Sequence, residues 1–251
     1  MKTFRTIMAV LTVFIEFVIL SPWMIYCKNL TVKGDEESLK KRDRLAPRLI
    51  RFMARGVMWW TGAKVTVTGE ENIPDKACVL VGNHQSYFDI LSLLACSKTM
   101  YGYLAKIEIK KVPFLRTWMD TIDCVFLNRE NAKQGLAAIK EAVSLLKRNR
   151  SIYIFPEGTR SKCDDIGEFK TGAMMIATKA KAPIVPFLID GTYKLFEANG
   201  NRVSPGEVTI TFMPPIYTED MSREEINAIS DKIRDQLIEE QKKQFEKKAE
   251  K

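Results

Sequence analysis

From about residue 63 onward the chain is a series of short apolar runs set between longer stretches with helical spacing. The runs fall at residues 64–68, 78–81, 100–104, 124–127, 152–155, 184–188 and 208–212. They are rich in Val, Ile and Leu and bounded by turn residues, the pattern of buried strands. Residues 131–147 between two of them place Ile139, Val143 and Leu146 on one helical face, and the stretch from Ser222 does the same with Ile226, Ile229, Ile233 and Leu237 ahead of a Lys/Glu-rich tail. Strands alternating with helices predict a single α/β domain over residues 63–251, with a mainly parallel or mixed sheet flanked by helices.

The first sixty residues follow another rule. Between residues 6 and 27 almost every position is apolar, with Glu16 the sole charge. At about 1.5 Å rise per residue a helix of that length can cross a hydrocarbon core about 30 Å thick. The start Met1-Lys2-Thr3-Phe4-Arg5 would suit a signal peptide, but no small-residue cleavage pattern follows. The run ends instead in Ser21-Pro22-Trp23-Met24-Ile25-Tyr26, whose aromatics suit a membrane interface, so it is read as retained.

After a polar link containing Asp35, Glu36 and Glu37, residues 38–60 give a second helical pattern. Leu45, Leu49, Phe52, Gly56 and Trp59 form one stripe; Lys40, Arg44, Arg48, Arg51 and Arg55 form the next; Trp59-Trp60 close it. That is the pattern of a helix lying among anionic headgroups, the alternative being a surface helix packed on the domain by its apolar stripe. Residues 1–62 are therefore expected to be a two-helix membrane module. Glu16 favours a pair dipping into one leaflet over one full span, and the positive charge that follows places the domain on the cytoplasmic side.

Composition narrows the partners. The 251 residues carry 39 Lys and Arg against 31 Asp and Glu, a net charge of +8. Such a surface favours anionic lipids, phosphorylated substrates or an acidic carrier protein. Nucleic acid is the least favoured partner, because neither a zinc knuckle nor an aromatic platform accompanies the charge. The five cysteines have no Cys-x-x-Cys spacing and read as free thiols.

Candidate chemistry begins with the one histidine, His84, in the run Asn83-His84-Gln85-Ser86-Tyr87-Phe88-Asp89 directly after an apolar strand. An imidazole followed five residues later by a carboxylate can be a general base and its orienting group. The plainer alternative is a polar strand end, with Asp89 acting as an N-cap for the apolar run that follows. A second buried strand opens into Pro156-Glu157-Gly158-Thr159-Arg160-Ser161-Lys162. Two strands ending in polar turns indicate loops gathered at the carboxyl edge of a parallel sheet, where open α/β folds place ligands. In the second turn Gly158 permits close approach of a ligand, Arg160 can grip phosphate oxygens in bidentate fashion and Lys162 adds a point charge. Glu157 would orient Arg160 or bond a substrate hydroxyl.

These residues carry a resemblance. His84-x4-Asp89, then Lys106 and Pro113, then Phe126-Leu127-Asn128-Arg129, then Phe155-Pro156-Glu157-Gly158-Thr159-Arg160, then Val185-Pro186 resemble, in order and approximate spacing, the four motif blocks of the glycerolipid acyltransferases. The match is nearest to the bacterial 1-acyl-glycerol-3-phosphate acyltransferases, although Asn128 stands where many relatives have Asp. The resemblance implies direct transfer of an acyl group from an acyl carrier protein or coenzyme A thioester to the free hydroxyl of 1-acyl-glycerol-3-phosphate, giving phosphatidic acid with no further cofactor. It implies His84 as base and Asp89 as its orienter, with Lys106 and Arg129 joining Glu157, Gly158, Thr159, Arg160 and Lys162 around the substrate. Ser86 lies outside a Gly-x-Ser-x-Gly elbow, which argues against a serine nucleophile. Acceptors such as glycerol-3-phosphate or a lyso-aminolipid stay open, as does a non-catalytic lipid-binding membrane protein. The location implied is the cell inner membrane.

Overall fold

In the computed structural model, which describes residues 1–97, 101–112 and 114–250, all seven predicted runs pair into one sheet in the order β1-β7-β6-β2-β5-β3-β4. The strands are β1 (Lys64–Thr68), β2 (Val79–Gly82), β3 (Gly102–Lys106), β4 (Val125–Leu127), β5 (Ile152–Ile154), β6 (Ile184–Asp190) and β7 (Glu207–Phe212). Met100, the expected start of the third run, and Pro113 of the motif set lie outside the described residues. Strands β4, β3, β5, β2 and β6 run parallel; β7 is antiparallel to β6 and parallel to β1, so the sheet is mixed.

The central strands are buried on both faces, and that is why they read as unbroken apolar runs. Leu80, Tyr153, Val185 and Phe187 face one core, shared with helices α2 (Glu36–Thr61) and α3 (Phe88–Cys96). Val79, Val81, Ile152, Ile154 and Ile184 face a second core under α5 (Ala132–Lys147), α6 (Thr171–Ala180) and α7 (Arg223–Ala249). Asn131 caps α5 through the Gln134 N–H. Ser222 and Glu225 form a capping box on α7, which buries the expected Ile229, Ile233 and Leu237 and continues as helix through the charged tail.

The N-terminal segment is an antiparallel pair, α1 (Lys2–Lys33) and α2, turned at Gly34 and Asp35. Phe4 meets Trp60 edge to face, and the Arg5 guanidinium donates to the Trp60 carbonyl. α1 is long and apolar enough to cross a membrane, and most of its apolar window is exposed, including Ile7, Val10, Phe14, Val18 and Trp23. Glu16 lies against α2: it is 8% exposed and fills the space left by the missing side chain of Gly56.

The face that α2 turns to the domain is not the apolar stripe named in the packed alternative. Phe52 and Trp59 are exposed, and the buried stripe is Arg42, Ala46, Ile50, Met53, Ala54, Val57, Met58 and Thr61. Small alanines and a buried arginine hid this stripe from a count of large apolar residues. Arg42 is tolerated inside because its guanidinium bonds both Asp43 and Asp123, at 2.7–3.1 Å, and an unpaired buried charge would be strongly destabilising. On the basic stripe, Arg51 donates to the Ser97 carbonyl and the exposed Arg55 to that of Ala95, so both reach the domain, and Lys40, Arg44 and Arg48 are exposed as well.

Candidate active site

Because β2, β3, β4, β5 and β6 are parallel, their carboxyl ends emerge at one edge, and the predicted residues leave the sheet there together. His84 and Asp89 follow β2, Lys106 ends β3, Arg129 follows β4, and Glu157 to Lys162 follow β5. A cavity of about 320 Å³ lies at the opposite edge, against Ala77, Tyr101 and Ser151 ahead of β2, β3 and β5, and none of the predicted site residues lines it.

His84 Nδ1 is 2.6 Å from Asp89 Oδ2. Asp89 sits in the first turn of α3, fully buried, and the same Oδ2 accepts the Gln85 and Ser86 backbone N–H groups at 2.7 and 2.9 Å. Its other oxygen, Oδ1, accepts the Thr192 hydroxyl. The carboxylate thus closes the turn that leads into the helix from within its first turn, where Tyr87 and not Asp89 is the N-cap, and it contacts the imidazole as well. The ring of His84 stacks on Phe155 at 4.3 Å and 19°. Its side chain is 16% exposed, and Nε2 has no hydrogen-bond partner among the described residues. With Nδ1–H committed to Asp89, the Nε2 lone pair is free to take a proton.

Alternation along the strand end decides what holds this turn. Asn83 and Gln85 point toward β6: Asn83 bonds both the N–H and the carbonyl of Ile189, and Gln85 Oε1 accepts the Gly191 N–H at 3.0 Å. On the β5 side, the His84 N–H donates to Glu157 Oε1 at 2.7 Å, and the His84 carbonyl accepts from the Ser161 N–H at 2.8 Å.

Glu157 corrects an expectation. Rather than holding Arg160 or a hydroxyl, its two oxygens accept backbone N–H groups from His84 and from Gly167, at 2.7 and 3.1 Å, and it is 7% exposed. Burial pushes its carboxyl above the ordinary value, with the two N–H groups pulling the other way. Arg160 is instead held by Glu197, at 2.8 Å, and its guanidinium lies 3.4 Å above the Tyr87 ring centre. Gly158, expected to admit a ligand, adopts φ of 74° and admits Arg129, whose guanidinium fills the space of a β-carbon and donates to the Gly158 carbonyl at 2.8 Å. Arg129 therefore packs into the Gly158–Arg160 turn. Thr159, Lys106 and Lys162 are exposed, and the two lysine side chains bond no described residue. Ser86 is buried, donates to Glu197 at 2.6 Å and accepts the Phe88 N–H, so its hydroxyl is committed to the turn.

Sequence reasoning missed Asn83, Gln85, Thr192 and Glu197. Thr192 was within reach, since Gly191-Thr192 follows a buried strand just as His84 does. Glu197 carries no such mark.

A mixed α/β sheet bearing an imidazole–carboxylate pair and a cluster of arginines at its carboxyl edge is the architecture of an enzyme. The chain belongs to the acyltransferase family: the family model described as Acyltransferase matches residues 64–190. It is 31% identical over 222 residues, 84% of this chain and 81% of the other, to the probable 1-acyl-sn-glycerol-3-phosphate acyltransferase of Mycoplasma pneumoniae. It is 32% identical over 180 residues, 70% of this chain, to the 1-acyl-sn-glycerol-3-phosphate acyltransferase of Saccharomyces cerevisiae. The chain spans 59% of that yeast protein and 52% of a chloroplast relative from Brassica napus. The crystal structure of the 1-acyl-sn-glycerophosphate acyltransferase PlsC from Thermotoga maritima superposes with a TM-score of 0.76 at 27% identity, covering 96% of this chain and 98% of that one. The likeness includes the helical N-terminus as well as the sheet. The exposed apolar helix α1 and this kinship together point to association with a membrane.

Proposed function

We propose that the protein transfers a fatty acyl group from an acyl thioester to the free hydroxyl of 1-acyl-glycerol-3-phosphate, yielding phosphatidic acid. The observation that carries this reading is the His84–Asp89 contact at 2.6 Å, with Nε2 free, at the sheet edge where Arg129 and Arg160 also gather. A hydroxyl is too weakly acidic to attack a thioester unaided near neutral pH. His84 Nε2 takes its proton as the oxygen–carbon bond forms, and Nδ1–H remains on Asp89, whose negative charge stabilises the imidazolium. When the carbon–sulfur bond breaks, the leaving thiolate takes the proton and His84 returns to its neutral form. Such assistance is worth about 10²–10⁴ in rate. No acyl group passes through Ser86.

Arg160 is the principal phosphate ligand, with Arg129, Lys106, Lys162 and the Thr159 hydroxyl around it; Glu157 and Gly158 shape the turn that presents them. The donor is a thioester of acyl carrier protein or coenzyme A, and the chemistry needs no other cofactor. The acceptor lies in a membrane, where α1 embeds and the exposed Trp59, Phe52, Arg44 and Arg48 of α2 meet the headgroups. The site of action is the cytoplasmic face of the cell inner membrane. Purified full-length protein, incubated in lipid vesicles with labelled acyl thioesters and a panel of lysolipids, is expected to form phosphatidic acid preferentially. Preference for glycerol-3-phosphate or a lyso-aminolipid would overturn the assignment of acceptor, and absence of transfer to every acceptor would overturn the activity.

A further inference from the structure

The family match ends at residue 190, and the polypeptide that completes the site begins just beyond it. Strand β6 ends at Asp190, and two short 3-10 turns follow, Thr192–Leu195 and Glu197–Asn199. They carry two side chains that reach back across more than a hundred residues into the turn after β2. Thr192, fully buried, donates to Asp89 Oδ1, the carboxylate oxygen not used by His84, and its neighbour Gly191 donates to Gln85. Glu197, whose side chain is 5% exposed, accepts the Ser86 hydroxyl at 2.6 Å through one oxygen and Arg160 Nη1 at 2.8 Å through the other.

We propose that Thr192 and Glu197 are positioning residues of the active site, Thr192 for the base and Glu197 for the phosphate-reading arginine. A carboxylate bonded only through Oδ2 can rotate about its Cβ–Cγ bond and present either oxygen to the imidazole. The Thr192 hydroxyl fixes the plane of the Asp89 carboxylate and draws off part of its charge. Glu197 acts on binding rather than on the proton. Arg160 has a long, flexible stem, and Glu197 with the Tyr87 ring below pins one edge of its guanidinium, leaving the other donors for phosphate. A single turn thereby sets the catalytic and the recognition halves of the site through separate side chains.

The proposal rests on the acyl-transfer reading above, and the test keeps the two apart by scoring variants on whichever lysolipid the wild-type protein uses. The proteins are full-length Thr192→Val, Thr192→Ser, Glu197→Ala and Glu197→Gln in vesicles, each checked for folding by circular dichroism. Thr192→Val is expected to lower kcat by about tenfold, part of the about 10²–10⁴ that base assistance supplies, at unchanged KM for donor and acceptor. Because Asp89 then concentrates its charge on the imidazole, the acid limb of the kcat/KM profile moves to higher pH. Thr192→Ser restores both rate and profile. Glu197→Ala is expected to raise the acceptor KM by about fivefold or more, within the range of lost charged hydrogen bonds, with kcat and donor KM little changed. Glu197→Gln keeps an acceptor for Arg160 and recovers most of that loss. A Thr192→Val enzyme with the wild-type pH profile would overturn the first half. A fall in acceptor KM in both Glu197 variants would show a competing anion instead of a positioning residue and overturn the second.

Discussion

The turns after β2 and β5 leave the same sheet edge from adjacent strands, yet their side chains are held to very different degrees. In the first, Asn83, Gln85, Ser86 and Asp89 are all buried, and His84 is fixed by Asp89, Phe155 and both of its own backbone groups. In the second, only Glu157 is bonded on every side. Thr159 and Lys162 stand in solvent, as does Lys106 on the neighbouring strand end, and Arg160 is tied along one edge. The difference follows from what each turn would do. Proton transfer demands a donor and acceptor within a few tenths of an ångström, so a base loses much of its effect if it wavers. A phosphate carries its charge on several oxygens and can be met by mobile cations from many angles.

The largest expected effect comes from the rigid turn. His84→Ala is expected to reduce turnover by about 10²–10⁴ with the fold intact, since its ring is a minor part of the core. Asp89→Ala should lose comparable activity and also melt earlier, because the Gln85 and Ser86 N–H groups are left buried without an acceptor, at about 1–3 kcal/mol each, and the Thr192 hydroxyl keeps only its 3.4 Å contact with Gln85 Oε1. Near wild-type turnover from folded His84→Ala, measured by release of free thiol, would end the base mechanism.

If the turn after β5 can leave its cations in solvent because the bilayer delivers the headgroup, then freeing the protein from lipid should weaken acceptor use without touching the base. Deleting residues 1–60 is too blunt for this, since it strips the buried stripe of α2 from the core. Ile7→Lys with Phe14→Lys instead alters only the exposed face of α1. Lysine costs about 2.5–3.5 kcal/mol per residue at the centre of a membrane helix, so the pair should abolish co-sedimentation with vesicles. Activity on vesicle-borne acceptor should fall by an order of magnitude or more, while activity on detergent-dispersed acceptor is kept. Unchanged sedimentation would remove α1 from the anchor.

Arg160→Ala sharpens the contrast from the recognition side. Hydrogen bonds to charged groups contribute about 1.5–3 kcal/mol, so the acceptor KM should rise by about tenfold to a hundredfold, with the donor KM close to wild type. An equal rise in both constants would reassign Arg160 to holding the turn.

Which parts of this site were legible in the sequence follows the same division. The strands were readable because β2, β5 and β6 are buried on both faces and must be apolar without interruption. His84, Asp89 and the Glu157–Arg160 run stood at the ends of those strands in their own local segments. The restraints did not. Thr192 and Glu197 act over separations of 103 and 37 to 111 residues, and nothing near them in sequence marks their partners. Glu157 was misread for a related reason: a carboxylate beside an arginine in sequence looks like its partner, whereas the turn sends it inward to two backbone N–H groups. The buried stripe of α2 was not legible because Arg42 belongs inside only once Asp123, on a distant loop, is known to meet it.

The smallest effect tests the joint between the two turns. Glu157 is the one residue of the β5 turn built to the standard of the β2 turn, and burial is the main reason its carboxyl lies above the ordinary range. In the unfolded chain it loses its proton near the usual value of about 4.3. Between that value and its higher folded one, the folded protein still holds the proton. The stabilisation this brings is complete at low pH and fades as pH rises through the folded value. Glu157→Gln has no such ionisation, so its stability should stay flat across the window just above the carboxylate range where the wild type declines. A neutral amide can accept from only one of the two N–H groups, so the variant should also be less stable at neutral pH by about 1–3 kcal/mol. Urea midpoints followed from about pH 4 to about pH 8 would show this as two curves that draw together toward higher pH, because the wild type alone loses stability there. Parallel curves would mean that Glu157 ionises alike in both states, and that the His84 N–H is held by its geometry without a cost of burial.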